Sequence, residues 1–75
     1  MAAILYISPI LRLAAAEPHG AFLTLRTAPD SRAPAAGQVP DGTRLLVFRE
    51  RNGWCEVCAR GCRGWVSKTD ILLFF

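Results

Sequence analysis

Histidine and lysine each occur once in this chain of 75 residues, as do methionine and tyrosine. Runs of like charge, low-complexity tracts and internal repeats are absent. These shortages exclude much. The single histidine, His19, lies in the turn-like stretch "EPHG" at 17–20, so no serine, threonine or cysteine has a constrained base beside it for nucleophilic catalysis. Carboxylate pairs for acid–base work are missing as well: Asp30, Asp41 and Asp70 read as turn or cap residues. No glycine-rich loop suits a phosphate, and no apolar run reaches the ~18 residues of a helical membrane span. Cysteine is scarce and odd in number, with three residues, so complete pairing into disulfides within the chain is impossible. The sequence reads as a non-enzyme that uses no cofactor and no metal.

What remains is apolar and mildly basic. Hydrophobic residues make up 52% of the chain, too many for a disordered segment, and eight arginines and one lysine against six acids give a net charge of +3. That excess is far below the dense basic tracts of a dedicated nucleic-acid binder. A chain of this size forms one domain at most and buries only about 60% of its unfolded surface, so its stability margin is a few kcal/mol.

Two regions differ in character. Residues 1–20 are an apolar N-terminal arm or signal-like segment with a linker: "MAAILYISPILRLAAA" carries only Arg12 as a charge and ends in an Ala14-Ala15-Ala16 cleavage-type sequence. No positive charge precedes the apolar run and Pro9 interrupts it, which favours instead an extra strand or an arm docked on the domain or on a partner. The export reading implies a periplasmic or cell-envelope location; otherwise the compartment is unknown. Residues 21–75 show short strands between turn signals. "AFLTLRT" alternates with period two, "APDSRAPAAG" at 28–37 reads as a long loop, and "PDG" at 40–42 as a tight turn. "TRLLVFRE", "WCEVCA", "CRGWVS" and "ILLFF" read as strands, with "KTD" as one helical turn. The Asn52-Gly53 and Arg60-Gly61 pairs mark hairpins. Turns at this spacing, without a helix of useful length, predict a small all-β barrel of five to six short strands, with Leu23, Leu25, Leu45, Val47, Val57, Val66 and Ile71 in its core.

The elements "LTLRTAPDS" at 23–31, "GQVPDGTRL" at 37–45, "NGWCEV" at 52–57 and "GCRGWVS" at 61–67 resemble, in order and spacing, the bacterial SH3 (SH3b) family of small binding barrels. Leu23, Leu25, Arg26 and Pro29 match the opening motif of that family, and Asn52-Gly53-Trp54 and Gly64-Trp65-Val66 match without gaps. Ala28 stands where the family has glycine, which implies an altered loop. The resemblance implies an SH3-like barrel that binds a peptide or cell-wall (peptidoglycan) ligand.

The spacing Cys55-x2-Cys58-x3-Cys62 invites a metal reading, which the hairpin argues against. On a regular strand Cys55 and Cys58 face opposite sides, and no fourth ligand is near. A two-residue turn at Arg60-Gly61 sets Ala59 against Cys62, whereas a three-residue turn sets Cys58 against it and permits a disulfide. Cys55 reads as a small buried apolar residue. Of the tryptophans, the resemblance makes Trp65 structural and leaves Trp54 beside a loop mouth. The expected ligand-binding residues are Trp54, Arg26, Asp30 and Asn52, with loop 27–36 as one wall. Two further functions compete with peptide or peptidoglycan binding. One is a structural or assembly role, docking on a larger protein partner through the apolar termini. The other is nucleic-acid binding through Arg44, Arg49, Arg51, Arg60 and Arg63. It ranks last, because Glu50 and Glu56 interrupt that arginine series.

Overall fold

A computed structural model describes residues 12–17 and 20–73. Within them lie seven strands: β1 (Arg12–Ala16), β2 (Phe22–Arg26), β3 (Ala35–Pro40), β4 (Arg44–Arg51), β5 (Trp54–Ala59), β6 (Cys62–Ser67) and β7 (Ile71–Leu73), with one 3-10 turn (Lys68–Asp70) before β7. All pairings are antiparallel, in the order β3-β2-β6-β5-β4-β1-β7. The sheet coils around one core without joining β3 to β7, which makes it a partly open, SH3-like barrel. The core residues expected from the sequence are all buried, and Ala14, Ala16, Val39, Cys55 and Ala59 join them.

Two strands, β1 and β3, add to the five segments read as strands from the sequence. Ala14 and Ala16 of β1 are buried between β4 and β7, where small side chains fit under closely paired neighbours. The end of the apolar arm is therefore a sheet strand; the expectations that concern residues 1–11 lie outside the described residues. The predicted loop 28–37 is also too long, since β3 begins at Ala35. Prolines and a glycine disguised it. Gly37 and Pro40 are tolerated because β3 is an edge strand, and Gly37 packs closely on Cys62: a Cβ there would lie 2.5 Å from the Sγ, which would have to turn aside.

Both hairpin turns have two residues. Asn52 and Gly53 have φ of 49° and 81°, Arg60 and Gly61 of 52° and 76°, and Ala59 pairs with Cys62. The left-handed region suits asparagine but strains arginine. Arg60→Asn is therefore expected to raise stability by about 0.5–1 kcal/mol, read as a higher midpoint in urea. An unchanged or lower midpoint would show that the Arg60 turn carries no relievable strain.

Period-two alternation fails once in β4. A register shift between Val47 and Arg49 places a bulge at Phe48. Beyond it Arg49 pairs with Glu56 and Arg51 with Trp54, so both arginines share the outward face with Trp65. Trp65 itself is buried at 6% exposure but stands outside the core cluster. Its β6 neighbours Gly64 and Val66 face inward against Val57 and Cys55, and its own ring lies on the opposite side of the sheet beneath two guanidinium groups. Aliphatic side chains and Cys55 fill the interior itself.

Candidate ligand-binding groove

Strands β2 and β6 share a single register pair, Arg26 with Trp65. Towards the start of β2 they part, and the gap is a groove of about 400 Å³ lined by Phe22, Thr24, Arg26, Ser31, Trp54, Ser67 and Asp70, together with Gly20 and Leu23. One wall is the outward row of β2, in which Phe22, Thr24 and Arg26 alternate with the buried Leu23 and Leu25. The other is Trp54 with its cross-strand partner Ser67.

Local hydrogen bonds hold both walls. Arg26 Nη1 donates to the Ala33 carbonyl at 3.0 Å, which ties the 27–34 loop back to the strand it leaves. Thr27 N–H donates to the Pro34 carbonyl at 3.0 Å and closes that loop at its base. On the far wall Lys68 N–H donates to the Gly53 carbonyl at 2.9 Å, fastening the 3-10 turn to the hairpin that carries Trp54. Ser67 caps that turn by accepting from the Thr69 N–H. Gln38 Nε2 donates to Thr24 Oγ1 at 3.3 Å.

The four expected site residues divide evenly. Trp54, half-buried, and Arg26 meet across the groove. Asp30 does not line it; its Oδ1 accepts from the Arg32 N–H at 2.9 Å and shapes the loop from within. Asn52 is a turn residue that aims Trp54 and does not itself border the groove. Of the loop expected to wall the site, Ser31 lines it. Sequence reading missed Phe22, 58% exposed, although its place in the alternation with Leu23 and Leu25 marks it as outward.

Behind Trp54 the surface carries charge. Arg49 Nε lies 2.8 Å from Glu56 Oε1 and Arg63 Nε 3.4 Å from Glu56 Oε2, while Arg63 stacks on Phe48 at 4.4 Å from the ring centroid. Glu50 joins Arg12 of β1 to Lys68; the Lys68 hydrogen bond, with Arg12, holds its carboxyl below the usual glutamate range. Burial, and then the nearby Glu50 charge, push the Cys55 thiol upward, the opposite of what a nucleophile or metal ligand needs. Cys58 pairs with Arg63 and points away from Cys62, so all three cysteines are free thiols. Among the described residues no three potential metal ligands are brought together.

A sequence profile of the bacterial SH3 domain matches residues 21–71, more than half of the chain. The chain belongs to the bacterial SH3 family. Among solved structures, NlpC1 from Trichomonas vaginalis superposes with a TM-score of 0.70 at 14% identity, over 83% of this chain. That likeness bears on the fold. The chain spans 22% of the length of NlpC1. No curated protein matches the chain in sequence. Bacterial SH3 domains are binding domains.

Proposed function

We propose that this bacterial SH3 domain is a non-enzymatic module that binds peptidoglycan through its peptide moiety, held in the groove between β2 and Trp54. The observation that carries this reading is the pairing of two unlike walls across about 400 Å³. Trp54 and Phe22 supply aromatic surface for the apolar parts of an extended peptide, while Thr24, Arg26, Ser31 and Ser67 supply donors and acceptors for its backbone. Phe22 and Trp54 together give this groove more apolar surface than isolated exposed side chains would. Membership of a family of binding domains supports the same reading.

The test is a pulldown with one tagged domain, run in parallel on purified peptidoglycan sacculi and on whole lysate. Retention on sacculi that a soluble stem peptide competes away is the expected result. No retention on sacculi, with selective capture of a protein from lysate, would replace this reading with docking on a protein partner.

A further inference from the structure

The outward face of β2, β4, β5 and β6 carries Arg26, Arg49, Arg51 and Arg63 together with the two tryptophans, and three of these arginines have polar partners. Arg26 donates to Ala33, while Arg49 and Arg63 share Glu56. Arg51 differs. Its guanidinium carbon lies 5.9 Å from the centroid of the Trp65 ring, and among the described residues it makes no ion pair. Across the β4–β5 ladder its partner is Trp54, the aromatic wall of the groove. The bulge at Phe48 brings it there.

We propose that Arg51, which lies over the Trp65 ring and across the ladder from Trp54 without itself lining the groove, anchors a carboxylate of a bound peptide that extends past Trp54. The proposal rests on the groove reading above and adds the charge of the ligand to it. A guanidinium packed against an indole keeps its N–H edge free, and that planar fork matches a carboxylate with two parallel hydrogen bonds. Stacking also restricts the arginine before the ligand arrives, which lowers the ordering cost of the contact. A cation beside an aromatic wall that makes no ion pair among the described residues suits one carboxylate. A phosphate backbone would need a track of free cations, and here Glu56 occupies the neighbouring two.

The experiment is a titration of the folded chain with a synthetic stem peptide, L-Ala-γ-D-Glu-L-Lys-D-Ala-D-Ala. The peptide is used with both carboxylates free, with either one amidated, and with both amidated. Wild type is expected to bind the free peptide about tenfold more tightly than the doubly amidated one, the size of one charge-assisted hydrogen-bonded contact. The singly amidated peptides show whether the C-terminal or the γ-D-Glu carboxylate is held. Arg51→Gln should bind the free peptide about tenfold more weakly and lose the discrimination. Arg51→Lys, which keeps the charge without the fork, should stay measurably below wild type. Arg60→Asn removes the same charge at the opposite end of the β5–β6 ladder and should keep the discrimination.

Equal binding of free and amidated peptides by wild type overturns the carboxylate anchor and leaves the groove standing. Discrimination that survives in both Arg51 variants also overturns it. Tighter binding to a single-stranded oligonucleotide than to any peptide overturns it in favour of a polyanion. No binding of any peptide overturns the anchor and the groove together.

Discussion

Leu45→Ala is expected to leave the chain largely unfolded at room temperature. Leu45 is 1% exposed at the middle of the sheet, on the strand that pairs with both β1 and β5. Removing its branched end costs the lost transfer energy and leaves a cavity that neighbours on three strands cannot close, about 2–5 kcal/mol in all. A domain of this size holds a few kcal/mol in reserve, so one such cavity consumes most of it. Leu72→Ala is the matched control: the same truncation at a side chain 51% exposed should shift stability by less than about 0.5 kcal/mol. Urea denaturation followed by far-UV circular dichroism reads both. A cooperative transition for Leu45→Ala close to that of wild type would mean that the interior relaxes around the loss, and the packing account would fail.

The two tryptophans are expected to part company when each is replaced by alanine. Trp54 is half-buried at the groove, so Trp54→Ala should remain folded and lose at least about thirtyfold in affinity for peptidoglycan, the loss typical of a central aromatic contact. Trp65 contributes no wall to the groove, yet it is nearly enclosed by Arg49, Arg51 and its sheet neighbours. Trp65→Ala strips the platform from two cations and should destabilise the fold by about 3 kcal/mol. Sedimentation with sacculi, paired with a thermal melt of each variant, separates the effects. A folded Trp54→Ala that still co-sediments would remove the groove from consideration as the binding site.

These expectations draw unequally on the sequence. The central hairpins were plain in it, because Gly53 and Gly61 each close a two-residue turn and the strand between the turns, β5, alternates without error. The core followed from that alternation. Three features escaped for separate physical reasons. Strand β1 is alanine-rich and joins an apolar run, so its composition suited an arm or a leader as well as a strand; only pairing partners distant in sequence decide it. Strand β3 has the proline and glycine of a loop, and its strand character comes from β2 and from the close approach of Cys62. The bulge at Phe48 leaves no local mark: strict alternation would send Arg49 inward with Leu45 and Val47. The groove was half legible for the same reason. Trp54 and Arg26 stand out by residue type and turn position, whereas Ser67 and Ser31 are unremarkable until the fold sets them opposite.

Strands β1 and β7 run side by side in opposite directions, with Ala16 beside Ile71 at one end and Ala14 beside Leu73 towards the other. The backbone therefore enters β1 and leaves β7 at a common corner. Asp70, which borders the groove, lies at the far end of the same ladder, where its carbonyl accepts from the Glu17 N–H at 2.8 Å. Arg12 and Leu73 thus lie together towards one end of that ladder, while Asp70 meets the groove at the other.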